Sequence, residues 1–388
     1  MNMLEREAMA ILVAAQGVGY ARRTRALAAA GSALCILEDP YAYSAELTKD
    51  GAASVRRALA SGKKMLEQME ENGIHLLTQE EPGYPGLLKH TARPPHLLFC
   101  MGNPDLDHAF PMAVVGTRRA SEYGLYHTRM ISRELAAEGM CIVSGLALGI
   151  DAAAHEGALA AQGRTVAVLG GALDQFYPME NYRLMQRMLE NGSSVVSEYA
   201  PGVRPNRYSF LERNRIIAGM SLGTLVTEGP HRSGAAYTAR CALEEGREVF
   251  ALPGDIDREG SQLPNRLIAE GAHLLTSAQD ILGHLVIEHP AAKQKEAGRA
   301  EMPDSKAAKT NRKAAVQKAE TPEKAVEAKE PEGEEEKAIW LVLREGEADF
   351  DTLSEKTGIH SDELGAALMM MELDGWIETL AGCRYRLM

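Results

Sequence analysis

Residues 140–151 read MCIVSGLALGID and contain the pattern that decides the fold. The apolar run Met140–Val143 has the length and composition of a buried strand. Ser144–Asp151 then supplies a hydroxyl group, two glycines and the start of a helix, a combination that favours anion binding. The loop is not GxGxxG and no acidic residue ends the strand, so we expect no dinucleotide cofactor. The stretch predicts a strand–loop–helix unit with an anion-binding turn.

The same alternation of apolar runs and helical segments continues on both sides of this stretch. Helical length and period are found in 121–138 and 233–245. Apolar strands separated by helices indicate a mostly parallel sheet covered on both faces. The predicted fold class is α/β, with a Rossmann-like doubly wound core over residues 105–289. The other predicted strands are Met112–Val115, Thr165–Leu169, Ser193–Ser197, Gly223–Thr227, Arg247–Ala251 and Ala272–Thr276.

The residues before the core predict a helical domain and a connector. Residues 1–78 show helical spacing of apolar side chains, and Gly17-Val18-Gly19 precedes a basic helix with arginines at 22, 23 and 25. This pattern is typical of a SAM or helix-hairpin-helix domain, whose turn amides bind phosphates. The alternative is that the glycines only allow two helices to pack. Residues 79–104 are rich in proline and predict an irregular connector.

The residues after the core predict a linker and a winged helix. Residues 290–336 contain no Leu, Ile or aromatic residue, which indicates a disordered linker. Residues 337–388 predict three short helices and a hairpin, the layout of a winged helix. Its candidate recognition helix, Ser361–Leu373, has no Lys or Arg, and Leu368–Met371 is apolar. We therefore expect this domain to bind protein and not DNA, so that cutting after residue 290 changes single-strand affinity little. The alternative is that the methionines fill its core.

Net charge and cysteine usage restrict the class of protein. The net charge of −12 argues against a nucleic-acid partner unless basic residues are concentrated locally. Between Lys89 and Lys293 every basic side chain except histidine is arginine, which suits phosphate contacts better than lysine does. Five widely separated cysteines predict reduced thiols, and no apolar segment has the length of a membrane span. These features predict a cytoplasmic protein.

Three glycine-containing turns are candidate phosphate sites. Gly116, Thr117 and Arg118 end the first core strand, where a backbone can approach a ligand and an arginine can bind phosphate. The alternative is a tight turn with a solvated arginine. The other two turns contain the pairs Ser144 and Gly145, and Ser233 and Gly234.

A basic and aromatic stretch, 207–215, is the most specific candidate for binding single-stranded nucleic acid. Cations contact phosphates, and flat rings stack on bases of any sequence. The alternative is that the phenylalanine lies in the core and the arginines form ion pairs with Glu198, Glu212 and Glu228. The candidate residues here are Arg207, Phe210, Arg213, Asn214 and Arg215.

Asp151 and His155 lie four residues apart on one predicted helix face. They suit an acid–base pair or two metal ligands, but no third ligand has a matching spacing. A capping aspartate and a packed or hydrogen-bonded histidine are therefore expected. The sequence predicts no catalytic residue and no metal site.

Taken in order, these motifs resemble the DprA/Smf family of DNA-processing proteins over about residues 82–282. The resemblance implies a non-enzymatic protein that binds single-stranded DNA, dimerises through its Rossmann-like core and helps to load RecA recombinase. It places DNA contacts on Arg118, Arg207 and Phe210; Leu211 and Glu212 depart from the family pattern. The motifs are Tyr84-Pro85, Val115–Arg118, Ser144–Asp151 with His155, Gly170–Asp174, Tyr177-Pro178, Ser197-Glu198, Phe210 with Arg213–Arg215, Glu228, Ser233-Gly234, Thr238-Ala239, Pro253-Gly254 and Gly271-Ala272.

Two other functions are compatible with the predicted architecture. The core also resembles LOG-type nucleoside-monophosphate phosphoribohydrolases, whose loop reads PGGxGTxxE. The corresponding stretch here, Ser233–Arg240, lacks both the double glycine and the helix glutamate, which argues against hydrolysis. A third interpretation is an interaction scaffold in which the winged helix does the work.

Overall fold

The chain forms a helical N-terminal region, a central nine-stranded sheet and a small C-terminal three-stranded sheet. None of the described helices combines the length and the apolar character that crossing a bilayer requires. Most of the predicted linker over 290–336 lies outside the described residues. In this computed structural model those residues are 3–285, 331, 333–359, 361–380 and 384–388.

The central sheet is built from short apolar strands whose side chains are almost all buried. Helices cover both faces, so the inner strands are nearly continuous apolar runs without alternation, whereas the edge strands at residues 74–78 and 273–274 are partly exposed. The seven strands from residue 111 onward are parallel to one another, which confirms the predicted Rossmann-like fold class. The strands are β1 (Ile74–Thr78), β2 (Leu97–Gly102), β3 (Pro111–Val115), β4 (Cys141–Ser144), β5 (Thr165–Leu169), β6 (Ser194–Ser197), β7 (Gly223–Val226), β8 (Glu248–Ala251) and β9 (His273–Leu274).

The order of the strands is β1-β2-β6-β5-β4-β3-β7-β8-β9. The chain winds outward from β3 through β4, β5 and β6, and then crosses to place β7, β8 and β9 on the other side of β3. The loops after β3 and β7 therefore diverge, and open α/β sheets bind ligands at such a switch point. The helices of the core are α6 (Gly86–Lys89), α7 (Glu122–Ala137), α8 (Ile150–Ala160), α9 (Tyr182–Glu190), α10 (Arg207–Gly219), α11 (Gly234–Glu244), α12 (Gln262–Glu270) and α13 (Ala278–His284).

The prediction of an irregular connector over residues 79–104 is wrong in its last part. Leu97–Gly102 forms β2, which pairs antiparallel with both β1 and β6. Leu97, Leu98 and Phe99 are buried, and this short apolar run forms one strand that connects β1 to the edge of the parallel sheet. The prolines around it mark the ends of the strand and do not prevent it.

The N-terminal region is helical as far as Glu71, as predicted, but Ile74–Thr78 at the end of the predicted helical domain forms β1. The turn over residues 17–19 joins the first long helix to a basic second helix. Arg22 donates to the carbonyl of Gly17 and Arg23 to the carbonyl of Val18, each over 2.9 Å. Two of the three arginines therefore stabilise the turn by donating hydrogen bonds to its carbonyl groups. The helices here are α1 (Glu5–Ala14), α2 (Tyr20–Ala30), α3 (Ala33–Glu38), α4 (Ser44–Leu47) and α5 (Lys49–Glu71).

The C-terminal domain is a winged helix, as predicted. Its first helix begins at Glu334, so the last residues of the segment predicted to be disordered are helical. Leu368, Met370 and Met371 are buried, which contradicts the predicted apolar docking surface at these three positions. A domain this small has to bury its long apolar side chains to form any core. Its elements are α14 (Glu334–Leu343), β10 (Ala348–Asp349), α15 (Phe350–Thr357), α16 (Ser361–Leu373), β11 (Ile377–Leu380) and β12 (Arg384–Leu387).

His155 lies fully buried on α8 against β5. Its Nδ1 atom is 2.7 Å from the hydroxyl oxygen of Thr165, which in turn donates to the carbonyl of Ile142. Burial lowers the pKa of His155 to about 3. The folded protein therefore keeps this ring neutral at pH values at which an unfolded histidine binds a proton.

This buried histidine predicts a pH dependence of stability. Because its folded-state pKa is depressed, its contribution is complete above about pH 6.5 and is lost as the pH falls toward 3, by roughly 1.4 kcal/mol per unit. His155→Leu should reduce the loss of unfolding free energy between pH 6.5 and 5 by about 2 kcal/mol, measured by urea denaturation. The same loss in both proteins would contradict the assignment.

Candidate nucleic-acid interface

A cleft of about 700 Å³ opens at the switch point, above the carboxyl ends of β3 and β7. Its walls are the loop after β3 and the first turns of α10 and α11. We call it the switch-point cleft. Among the residues that line it are Gly116, Thr117, Arg118, Arg119, Arg207, Phe210, Arg213, Asn214, Arg232, Ser233 and Gly234.

The loop after β3 is fixed by close backbone contacts. A Cβ atom at Gly116 would lie 2.6 Å from the carbonyl oxygen of Glu228 and 2.6 Å from the side chain of Ile150, so only glycine fits. The amide of Thr117 donates to the same Glu228 carbonyl over 2.7 Å. The loop amide is therefore used internally, and the exposed side chain of Arg118 is the group available to a ligand.

The rim of the switch-point cleft brings a cation and aromatic rings together. The guanidinium carbon of Arg118 lies 5.0 Å from the centroid of the Phe210 ring. The Tyr177 ring centroid is 5.9 Å from that of Phe210, and 53% of the Tyr177 surface is exposed. Phe210 is half-buried, with one part against Gly170. This arrangement offers a charge for phosphate and flat surfaces for bases.

Arg213 lies in the interior, although the sequence makes it a candidate for DNA contact. It donates to the carbonyls of Gly145, over 2.8 Å, and Val168, and to the Asn214 amide oxygen over 3.0 Å. Burial lowers the pKa of Arg213 to about 10, so the side chain remains charged at neutral pH. The Asn214 amide in turn donates to the carbonyl of Gly234 over 3.1 Å. Both side chains hold the loops of the cleft in place.

Arg215 forms the ion-pair network that was the alternative for this stretch. Its side chain is 12% exposed and pairs with Glu198, with Glu212 3.8 Å away. Burial opposes the charge, but these two carboxylates raise the pKa of Arg215 above its ordinary value. The guanidinium also donates to the carbonyl of Arg93. The structure places Arg215 against protein acceptors and away from the cleft lining.

The two other candidate turns differ in accessibility. Ser144 is fully buried and donates to the carbonyl of Val114 over 2.6 Å, and Gly145 lies directly under the Arg213 guanidinium. By contrast, Ser233 and Gly234 border the cleft at the start of α11. Among the described residues, the Ser233 hydroxyl has no hydrogen-bond partner. Of these two turns, only the second borders the cleft.

Asp151 and His155 form no acid–base pair in the structure. The Asp151 carboxylate accepts from the Gly145 amide over 3.1 Å, and burial raises its pKa. The histidine faces Thr165 instead. Glu228, the glutamate that follows β7, is buried and accepts from the Ser121 amide over 2.8 Å. These groups all have structural partners, and His155 is packed and hydrogen-bonded as expected. Asp151 does not cap α8, because the N-cap residue of that helix is Gly149.

Three potential metal ligands meet elsewhere, at the β8–β9 edge of the sheet. One ligand atom from each of Glu248, His273 and His284 lies within 4.8 Å of the others. A ring nitrogen of His273 is 2.9 Å from the Glu248 carboxylate. The three residues are too far apart in sequence to form a recognisable metal-ligand motif, so the sequence does not single them out. This group lies apart from the switch-point cleft.

Two exposed side chains that line the cleft, Tyr177 and Arg232, were not predicted from the sequence to belong to the site. Each adjoins a motif, at Tyr177-Pro178 and just before Ser233-Gly234, and that proximity was the available signal. Met370 and Asp374 of the winged helix also line the cleft. No local pattern predicts this contact, because the two domains are far apart in sequence.

Comparison with known proteins explains why these motifs occur together. Residues 75–286 match the family described as DNA recombination-mediator protein A, and residues 322–383 match the DprA winged helix domain. The first match covers more than half of the chain. The chain belongs to this family, the DprA/Smf proteins. Both predicted domains of the family are therefore present.

Individual DprA/Smf relatives show how far the similarity extends. The chain is 44% identical to Protein Smf of Escherichia coli over 234 residues, 59% of this chain and 63% of that protein. It is 47% identical to DNA processing protein DprA of Streptococcus pneumoniae over 199 residues, 51% of this chain and 70% of that protein. The match thus spans slightly less than two thirds of the Escherichia coli relative.

Two solved DprA structures share the fold. The Streptococcus pneumoniae protein has a TM-score of 0.61 and 34% identity, with 73% of this chain and 98% of that chain covered. The Helicobacter pylori protein has a TM-score of 0.50 and 32% identity, with 55% of this chain and 97% of that chain covered. The Helicobacter pylori structure is described in terms of the single-stranded DNA binding mode of that protein.

The interior position of Arg213 predicts a stability effect. Arg213→Ala leaves two strand-end carbonyls unpaired and removes the cation near buried Asp151, so the free energy of unfolding should fall by about 3–5 kcal/mol in urea denaturation. Arg118→Ala is the matched control, because that side chain is exposed and its loss should change stability by no more than about 0.5 kcal/mol. Equal stability of the two variants would refute the interior role.

Proposed function

We propose that this protein binds single-stranded DNA in the switch-point cleft. The observation that carries the proposal is the pairing of Arg118 with the Phe210 ring at 5.0 Å, beside exposed Tyr177. A base stacked on these rings places its phosphate within reach of the guanidinium. Such a contact does not depend on base sequence, because every base has a flat face.

Further groups around the cleft suit a polyanion. Arg119, Arg207 and Arg232 are exposed and line it. The start of α11 adds the positive end of a helix dipole. The net charge of −12 therefore does not describe this surface. Local basic residues can bind phosphates in a chain that is acidic on average.

Family membership supports a role in DNA processing. The Streptococcus pneumoniae relative is named as a DNA processing protein, and the Helicobacter pylori protein has a described single-stranded DNA binding mode. We extend the proposal to DNA processing during natural transformation, RecA loading, a homodimer formed by the core and a cytoplasmic location. The resemblance to the family supports these four extensions.

We further propose that the protein acts by binding and has no catalytic residue. In the described residues, the acidic side chains nearest the cleft floor, Asp151 and Glu228, are buried and accept backbone amides. A phosphoribohydrolase needs a glutamate on the helix after its loop, and α11 has none before Glu244. Release of base from nucleoside monophosphates by the purified protein would contradict this part.

The Arg118 contact predicts a change in salt dependence. Arg118→Ala should weaken binding to an oligothymidine strand and reduce the slope of log affinity against log salt by about 0.7, since one phosphate contact is lost. Equilibrium titration at several salt concentrations measures this slope. Arg133→Ala is the control, because it removes an exposed arginine of α7 that is not among the cleft residues. An unchanged slope for Arg118→Ala would remove this residue from the site.

The Phe210 ring predicts a loss of stacking energy. Phe210→Ala should weaken oligothymidine binding by about 1–3 kcal/mol while leaving the domain folded. Tyr126→Ala is the control, because Tyr126 is an aromatic residue of α7 that is 62% exposed and does not line the cleft. Near-native affinity combined with a large loss of thermal stability would show that Phe210 serves only the core.

A further inference from the structure

The winged helix contacts the core beside the switch-point cleft, through two acidic residues at the end of α16. Asp374 pairs with Arg207 at 2.5 Å, and Glu372 pairs with Arg240 at 3.4 Å. We call these two residues the acidic edge. Asp374 also lines the cleft directly, together with Met370. Carboxylates therefore occupy part of the surface on which the proposed DNA site depends.

We propose that the winged helix competes with single-stranded DNA for the switch-point cleft, using the acidic edge in place of phosphate. The inference rests on the proposed function, because it concerns occupation of the same site. A carboxylate on a guanidinium makes the same charge-assisted hydrogen bonds that a phosphate oxygen makes. Arg207 cannot pair fully with Asp374 and with a DNA phosphate at once.

Contacts other than these two ion pairs also hold the domain against the core. The Tyr208 hydroxyl donates to the Glu336 carboxylate on α14, and the Tyr208 ring packs against the hydrophobic core of the winged helix. On the other side of the cleft, Arg232 lies against Gly375 and its guanidinium is 3.2 Å from the sulfur of Met388. The domain thus engages residues from both walls of the cleft.

The ion pairs at this contact are suited to reversible closure. The Arg207 and Asp374 side chains are 59% and 37% exposed, and those of Arg240 and Glu372 are 43% and 34% exposed. Exposed ion pairs contribute little individually, since water already solvates both partners. Single-stranded DNA can therefore displace the acidic edge. The affinity measured for DNA is the intrinsic affinity reduced by the fraction of molecules with an open cleft.

This contact changes the expectation drawn from the sequence for the winged helix. From the sequence, the helix without basic residues is unsuited to DNA, and the domain is therefore expected to bind protein. In the structure the acidic edge faces arginines of the same chain. Removing the contact should therefore strengthen DNA binding, whereas the sequence interpretation expects no change.

The test uses the full-length chain with Glu372→Gln and Asp374→Asn combined. Both changes keep side-chain shape and remove charge, so they weaken docking without touching the arginines. Oligothymidine should bind the double variant at least about threefold more tightly than the unmodified chain at low salt. The control combines Glu345→Gln with Glu355→Gln, which removes two exposed charges from the same domain away from the contact. The control should change affinity less than the double variant does.

Hydrogen exchange without DNA tests the contact itself. Backbone amides of Arg207–Phe210 and of 232–240 should exchange faster in the acidic-edge variant than in the unmodified chain. Unchanged exchange, or faster exchange with unchanged DNA affinity, would overturn the competition and leave the proposed function intact. An equal gain in affinity for the control variant would also overturn it, because a general charge effect would then explain the gain. Absence of binding by every variant would instead overturn the proposed function.

Discussion

The buried guanidinium of Arg213 joins the parts of the chain from which the cleft is built. It binds the Gly145 carbonyl after β4 and the Val168 carbonyl in β5, and it holds the Asn214 amide. Through Asn214 the same network reaches the Gly234 carbonyl at the start of α11. Because an interior cation without acceptors is costly, these loops are constrained to surround it. Gly145 must lack a side chain, since a Cβ atom there would overlap the guanidinium.

That constraint explains why the basic stretch of α10 has two functions that its sequence does not separate. Arg207 lies on the exposed first turn, whereas Arg213 and Arg215 point into the protein. The residue type is the same, and the acceptors that make the difference, the Val168 carbonyl and the Glu198 carboxylate, come from distant segments. Sequence analysis could therefore predict a basic, aromatic site and name its ion-pair alternative. It could not assign each arginine to one of them.

The fold was more predictable than the site, because burial of strands depends on short apolar runs that are visible locally. Val114 and Ile142 stand in such runs and lie in the parallel sheet. The run Leu97–Gly102 was missed because neighbouring prolines dominate the composition there, although the strand lies between Pro95 and Pro104 and contains no proline. Met370 and Met371 of α16 were misread for a different reason: an adaptable side chain suits either a docking surface or a small core, and only the packing decides between them.

The distribution of carboxylates shows how an acidic chain can keep a site for a polyanion. Glu198 neutralises Arg215 inside the core, so that charge stabilises the fold and does not attract phosphate. At the cleft, Asp374 neutralises Arg207 through an exposed pair that water and salt can weaken. Arg118 instead faces the uncharged ring of Phe210. This ring does not neutralise the guanidinium charge, which therefore stays available for a phosphate. The three arginines thus differ in the cost of exchanging their present partner for a phosphate, and under the proposed function that difference, more than net charge, determines where a DNA strand binds.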